Sequence, residues 1–435
     1  MNRIFLGDLL RTISERGRHL LGSLREGPSP DEGLTSLANT VLSNKGEASG
    51  IVMASDFFRL FHSASDNEKE QFFMDLALEF GPNEARLEMA VMAYQKDRSP
   101  AASLELHAAS EPRRQELFRR LNLAPGGTAG LVNMRAGLLM LLKDRPELGA
   151  VDGDLVHLFA SWFNRGFLVI KKVDWDTSAT ILEKIIQYEA VHAIHNWQEL
   201  RRRINPVDRC CYAFFHPALL DEPLIFVEVA LSDNMVGAIA PILSSERRIM
   251  SPEATNTAIF YSISNCQKGL AGISFGHFLI KQVVEELKQE YPTLKKYVTL
   301  SPVPGFMRWF EQTRGGDHGA DIDLQAILQN DAWWTSKERA LGIKDRLMPI
   351  VADYLVNGKA NGFPLDPVAR FHLGNGASLE RINWLGDTSP KGMSQSAGVM
   401  VNYLYNLDKI QENHERYATS GHVAVSGSAR KRFTT

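Results

Sequence analysis

The chain has 435 residues, 44% hydrophobic and 23% charged, an ordinary globular mixture that excludes wholesale disorder and a fibrous chain. Its 48 Lys and Arg against 51 Asp and Glu leave a net charge of −3, which argues against a dedicated nucleic-acid binder, whose footprint is strongly basic. No run approaches the roughly 18 uninterrupted apolar residues of a membrane span, and at about 150 residues per domain the length predicts two or three domains.

The elements follow in chain order. Leu6, Leu9, Leu10 and Ile13 recur at helical spacing and predict a first amphipathic helix. Arg3, Arg11, Arg16, Arg18 and Arg25 resemble the charge of a mitochondrial transit peptide, but Asp8 and Glu15 break its acid-poor composition, so an ordinary helix is expected. Phe73, Leu76, Ala77 and Phe80 form one stripe, with Ser65 and Glu68 at capping-box spacing before it and Gly81-Pro82 after it. Further helices are predicted over 84–96, 111–121, 129–143 and 155–163, with Pro125-Gly126-Gly127 and Asp152-Gly153 separating the later ones. No metal-spaced histidines, Ser/His/Asp group or phosphate loop falls in this part. An all-α packing or oligomerisation domain over 1–162 is therefore expected.

From about residue 164 the period becomes that of strands. Residues 166–171 are one; 210–215 and 224–231 read as an antiparallel pair joined by the stretch from His216 to Pro223. A helix over 189–203 precedes the pair. Its Arg201-Arg202-Arg203 end reads as a solvated terminus, with phosphate contact the alternative. Adjacent Cys210 and Cys211 with a lone Cys266 make neither a disulfide framework nor a zinc site, so a reducing cytoplasm is expected.

Residues 257–304 carry the most chemistry. A strand from Thr257 leads to a loop of small and polar residues, Ser264 to Ile273. A long helix follows, with Ile280, Val283, Val284 and Leu287 on one face, and then a strand over 297–301. Gly269 and Gly272 permit close approach of a ligand. The free N–H groups of the helix start, with its dipole and Lys268, favour a pyrophosphate. The pattern is neither a P-loop nor Gly-x-Gly-x-x-Gly. It is nearer the acyl-CoA loop of GNAT-type acetyltransferases, Gln/Arg-x-x-Gly-x-Gly/Ala. Gly269-Leu270-Ala271 supplies the last part of that loop, while Cys266 stands where Gln or Arg is usual. The substrate-binding candidates are Lys268, Gly269, Leu270, Ala271, Gly272, Ile273, Ser274, Phe275, Gly276 and His277. A βα turn with no ligand is the alternative. Ser301 ends the next strand, on the side where open sheets bind ligands, so it and the loop are expected to share a crevice.

Asp366 as N-cap and Pro367 at the first position start a short helix that Gly374 stops. His372 then lies in the last turn, where the dipole favours the imidazolium and predicts a raised pKa. That suits a proton donor; a buried, satisfied histidine is the alternative. Val399, Val401, Tyr403 and Tyr405 alternate with Met400, Asn402 and Leu404, a late strand whose aromatic face is expected to pack in the core. Residues 420–435 read as a loose tail, and its Arg-Phe-Thr-Thr ending lacks a peroxisomal signal.

Four motifs together resemble the malonyl-CoA decarboxylase family. They are Thr-Ala-Ile-Phe-Tyr-Ser-Ile-Ser at 257–264, Leu-Ser-Pro-Val-Pro-Gly-Phe at 300–306, Phe-His-Leu-Gly-Asn-Gly-Ala at 371–377 and Arg-Ile-Asn-Trp at 381–384. The resemblance covers nearly the whole chain. It implies an α+β fold: an all-α N-terminal helical bundle, then a GNAT-like mixed α/β acyl-CoA-binding catalytic domain over 163–419. It implies release of CO2 from malonyl-CoA to give acetyl-CoA, with no metal, biotin or other cofactor. Ser301 and His372 match the catalytic serine and histidine, and Tyr405 matches a tyrosine lining the site; Asn375 lies in the histidine motif and joins the substrate contacts. Relatives from animals carry a glutamate where this chain has Ser274, which puts the orienting acid in doubt. The expected partners are malonyl-CoA, acetyl-CoA and further copies of the chain in a dimer or tetramer, with no nucleic acid and no membrane. A bacterial cytoplasm is the expected setting, and a mitochondrial matrix the alternative. The rival readings are an acyl-CoA N-acyltransferase and a non-catalytic acyl-CoA sensor.

Overall fold

The computed structural model describes residues 33–429, apart from 45, 220, 274–278, 316–320, 330–331 and 426–428. The expected first helix and most of the expected tail lie outside the described residues. The chain packs as two compact units. One holds the chain up to Val169 together with Phe215–Glu222 and Gln267–Phe275; the other holds the rest.

The first unit is helical. Its elements are α1 (Leu34–Ser43), α2 (Glu47–Ser63), α3 (Asp66–Leu78), α4 (Glu84–Lys96), α5 (Pro100–Ser110), α6 (Arg113–Leu121), α7 (Gly127–Leu141) and α8 (Gly149–Trp162). The capping box forms as its spacing requires: Ser65 Oγ accepts from the Glu68 N–H, and the Glu68 carboxylate accepts from the Ser65 N–H at 2.7 Å. Phe72, Phe73, Leu76 and Phe80 are buried behind it. The expected break at Asp152-Gly153 does not occur, because both residues lie inside α8. A glycine in a helix interior costs only about 1 kcal/mol. Burial of Val151, Leu155, Leu158 and Phe159 on the same helix offsets that.

The second unit is built on one mixed sheet. Its strands are β1 (Val169–Val173), β2 (Arg209–Phe215), β3 (Pro223–Ser232), β4 (Thr257–Asn265), β5 (Lys296–Thr299), β6 (Ser301–Pro302), β9 (Ser378–Asn383) and β10 (Met400–Leu404), with a separate small pair β7 (Lys359–Ala360) and β8 (Phe363–Pro364). The order is β1-β2-β3-β4-β5-β10-β6, with β9 also paired to β10. β3 and β4 are antiparallel, with a bulge between Glu228 and Val229. β4 and β5 are parallel, which demands a crossover, and the helix Leu279–Glu290 lies in that connection. β10 runs antiparallel to both β5 and β6 in one continuous register, Leu404 opposite Val298 and Val401 opposite Ser301.

Two expectations need correction here. The strand over 297–301 is interrupted at Leu300, whose N–H still reaches the Phe260 carbonyl at 2.8 Å. The helix expected over 189–203 is confined to α10 (Trp197–Ile204), and a separate helix that was not expected, α9 (Ala179–Tyr188), precedes it. Glu189 follows α9 and turns its carboxylate onto the N–H groups of Val191 and His192, both at 2.8 Å. Asn196 then caps α10 by accepting from the Glu199 N–H. Local side-chain bonds to the backbone outcompete a continuous helix there.

The sheet has two unlike faces. Ala230, Ile259, Tyr261, Val298, Leu300 and Met400 pack with Ile239 and Ile242. Residues one step along the strands point the other way, among them Phe260, Thr299, Ser301, Tyr403 and Tyr405.

Candidate active site

The helix Pro367–Gly374, the histidine helix, carries His372 in its last turn. Asp366 starts the histidine helix as expected. Its Oδ1 accepts from the N–H groups of Val368 and Ala369 at 3.0 and 2.9 Å. Its Oδ2 accepts from the Gly305 N–H at 3.3 Å. One buried carboxylate thus ties the turn after Ser301 to the helix that carries His372.

The two motifs meet. Ser301 Oγ lies 3.0 Å from His372 Nε2, and His372 Nδ1 lies 2.8 Å from the Tyr405 hydroxyl. Ser301 Oγ donates to Thr299 Oγ1 at 2.8 Å. A neutral imidazole has one donor and one acceptor. With Ser301 donating to Thr299, Nε2–H donates to Ser301 and Tyr405 O–H donates to Nδ1. Thr299 Oγ1 also accepts from the Tyr403 N–H at 3.1 Å, and the Thr299 carbonyl accepts from Asn402 Nδ2 at 2.6 Å. The Tyr403 ring stacks on the imidazole, centroids 4.8 Å apart and planes 27° apart. Ser301, His372 and Tyr405 are all buried.

Burial reverses one sequence-based expectation. His372 does sit in the last helical turn, but its pKa is pushed down to about 3. A helix end contributes at most a few kcal/mol to an imidazolium. Removing the ring from water with only neutral hydroxyls at its nitrogens opposes the charged form more strongly. Burial likewise raises the Tyr405 phenol above its ordinary range, so it stays protonated. The resting line Thr299–Ser301–His372–Tyr405 carries no formal charge.

Thr299 and Tyr403 were not singled out by the sequence. The available signal was period two: Thr299 shares a strand face with Ser301, and Tyr403 with Tyr405. Asn375 follows the histidine helix, and its Nδ2 donates to the Phe371 carbonyl at 2.8 Å. Its Oδ1 is buried and has no hydrogen-bond partner.

The Gly-rich loop belongs to the first unit. Lys268–Leu270 form a 3-10 turn. Lys268, Ala271 and Gly272 are exposed, whereas Gly269, Leu270 and Ile273 are buried. Gly272 has φ +78°, the left-handed region that favours glycine. Gly269 also packs tightly against α7: a Cβ there would sit 1.8 Å from the Val132 carbonyl oxygen. The loop carbonyls of Gly269 and Ala271 accept from Arg135 Nη1 at 2.7 and 2.8 Å, and Arg135 is paired with Asp152. Ser274, Phe275, Gly276 and His277 lie outside the described residues. Among the described residues, no group of three His, Cys, Asp or Glu side chains is placed to hold a metal ion, and no helix is long and apolar enough to cross a membrane.

Comparison with known proteins agrees with these motifs. The family model described as "Malonyl-CoA decarboxylase C-terminal domain" matches residues 166–435, and that described as "Malonyl-CoA decarboxylase N-terminal domain" matches residues 80–163. The chain is 35% identical over 388 residues to the mitochondrial malonyl-CoA decarboxylase of Anser anser anser, covering 81% of this chain and 77% of that one. Against the Mus musculus protein of the same name it is 36% identical over 373 residues, 78% and 73% of the two chains. The crystal structure of malonyl-CoA decarboxylase from Rhodopseudomonas palustris is similar at 51% identity and a TM-score of 0.89, covering 92% of this chain and 98% of that one. That from Agrobacterium vitis gives 51% and 0.86, with 92% and 99% covered. The chain belongs to the malonyl-CoA decarboxylase family.

Proposed function

We propose that this chain decarboxylates malonyl-CoA to acetyl-CoA and CO2 through the neutral line Ser301–His372–Tyr405. The observation that carries the reading is the pair of contacts at His372, 3.0 Å to Ser301 and 2.8 Å to Tyr405, in a buried site. Breaking the C–C bond releases CO2 and leaves its electron pair on the thioester as an enolate. C2 must then gain one proton. Ser301 hydrogen-bonds the departing carboxylate and sets its angle to the thioester plane. Burial strips water from that carboxylate. The enolate carbon is far more basic than an alcohol or a phenol, so it takes the Ser301 hydroxyl proton. His372 Nε2–H refills Oγ, and Tyr405 O–H passes to Nδ1. Water restores the phenol after the products leave. Ser301 is thus the acid that protonates C2, and neutral His372 resupplies its proton.

The CoA pyrophosphate is assigned to the Gly-rich loop, supported by exposed Lys268, Ala271 and Gly272; Ser274 to His277 complete that assignment. The partnerless Oδ1 of Asn375 supports a role as an acceptor for substrate. No metal or other cofactor takes part, so activity should withstand a chelator. Incubating the protein with malonyl-CoA and no amine tests the reading: acetyl-CoA and CO2 should form in equal amounts. Turnover only with an added amine, or binding without turnover, would sink it. The 51% identity to two bacterial relatives supports a bacterial cytoplasmic setting, which cell fractionation would check.

Self-association through the helical unit is part of the same proposal. Of the residues of α4 only Ala90 is buried, and of α5 only Ala109. Met89 and Met92 on α4 and Leu104 on α5 are strongly exposed. Apolar side chains grouped on a helix pair that the chain itself leaves uncovered fit contact with a second copy.

A further inference from the structure

The second unit holds a cavity of about 210 Å³ lined by four arginines, Arg202, Arg203, Arg209 and Arg247. Ile242 also lines it, and Ile242 packs on the sheet face with Ala230, Ile259 and Met400. His372 stacks on Tyr403, one residue along β10 from Leu404, which packs with that same cluster, so the cavity lies on the opposite face of the sheet from the Ser301–His372–Tyr405 line. We propose that this cavity is a binding site for a phosphoryl dianion, separate from the decarboxylation site.

The charge balance points that way. Asp208 is buried between two of the arginines: its carboxylate accepts from Arg247 at 2.6 and 3.0 Å and lies 3.4 Å from Arg209. Glu199, the acid in the lining, is engaged by the His195 N–H at 2.9 Å. Glu228, 3.1 Å from Arg203, is fully buried, and burial pushes its pKa up to about 8. Arg203 donates to Glu228 and to the Ala193 carbonyl, both at 3.1 Å. With Asp208, Glu199 and Glu228 all counted as ionised, four guanidiniums still face three carboxylates, which leaves an excess of one positive charge.

Donors are also in excess. A guanidinium has five N–H donors in a fixed fork. Arg209 uses two nitrogens on the carbonyls of Asp208 and Ile242, at 2.8 and 2.9 Å. Burial pulls its pKa below the ordinary guanidinium range, a cost that a bound anion would relieve. Arg202 is exposed and has no hydrogen-bond or ion-pair partner among the described residues. Arginine forks of this kind match the oxygens of a phosphate. A phosphoryl group fits within about 210 Å³ with room for part of what it is attached to.

The test is isothermal titration of the full-length protein with inorganic phosphate, alongside its melting temperature in phosphate and in chloride. Saturable heat and a phosphate-dependent rise in melting temperature are expected. Arg202→Glu and Ser244→Glu, both on exposed lining residues, should each weaken binding by about tenfold or more, the scale of one charge-assisted bond lost and replaced by repulsion, and leave kcat for malonyl-CoA unchanged. No saturable heat in the unmodified protein would overturn the proposal, as would equal binding in both variants. Competition then identifies the source. If CoA displaces phosphate and dephospho-CoA does not, the occupant is the 3′-phosphate of CoA and the separation from the decarboxylation site is wrong. If neither displaces it, the occupant is a distinct phosphate compound.

Discussion

Both ring nitrogens of His372 meet hydroxyl groups, and neither meets a carboxylate. Ser301→Ala and His372→Ala should each lower kcat by about 10²–10⁴, the range for general acid–base groups. The double variant should be little worse than the worse single one, because members of one catalytic unit are strongly non-additive. Losses that multiply in steady-state kinetics would separate the two residues. Thr299 acts through Ser301 as a positioning residue: Thr299→Val removes the acceptor at 2.8 Å and should lower kcat with little change in KM, while Thr299→Ser should restore it. The low pKa of His372, about 3, also has a kinetic sign. Protonation of the ring becomes significant only as pH falls toward that value, so kcat/KM should show no histidine break near 6.5. A break there that vanished in His372→Gln would contradict a neutral His372. Ser301 and His372 were legible because each sits in a motif, and Tyr405 only through the family resemblance. Thr299 and Tyr403 were not, since a strand threonine and an alternating aromatic read as packing. The protonation state was misread because sequence displays a helix end, whereas burial exists only in the fold.

Among the elements, the strand from Thr257, the long helix after it and the strand from Tyr297 were legible from hydrophobic period, while the parallel pairing of the two strands emerged only in the fold. The late start of the helix at Trp197 was not legible either, because it depends on the Glu189 carboxylate holding the Val191 and His192 N–H groups and on the Asn196 cap. The Gly-rich loop was legible in the sequence, but the packing demand on Gly269 was not: it comes from the Val132 carbonyl of α7. Gly269→Ala should therefore lower the melting temperature sharply, as overpacking of a tight site costs about 1–3 kcal/mol or more. Gly272→Ala meets no atom within 4 Å and should cost only the left-handed backbone penalty of about 1–2 kcal/mol. Thermal unfolding of the two variants would rank them, and the reverse order would contradict this account.

For the whole molecule, Met89→Glu combined with Met92→Glu should shift the protein to a smaller species in sedimentation while leaving its helix content unchanged. An unaltered sedimentation profile would remove α4 from the proposed contact. Acid stability is a second property at this scale. Burial lowers the pKa of His192 to about 4 and that of His372 to about 3. Unfolded histidines titrate near 6.5, so below that pH the unfolded chain binds protons that the folded chain refuses. Stability is thus complete above about pH 6.5 and falls with decreasing pH, by up to about 1.4 kcal/mol per pH unit for each such histidine. Glu228, raised to about 8, works in the opposite direction between about pH 4.5 and 8. His192→Gln should reduce the acid loss by about 1.4 kcal/mol per pH unit between about pH 6 and 4.5, read from denaturant unfolding at several pH values. Parallel curves for the two proteins would show that His192 does not carry it.

The uncharged character of the Ser301–His372–Tyr405 line reaches beyond the proton transfer proposed for it. Ions in solution act on formal charges, and they screen exposed charges separated by more than a Debye length, about 8 Å at physiological ionic strength. Hydroxyls and a neutral ring give them nothing to act on. Added salt should raise KM, because CoA brings its phosphates to cationic groups, and should leave kcat flat. An enzyme of this design keeps its chemical step constant while the salinity of its surroundings changes.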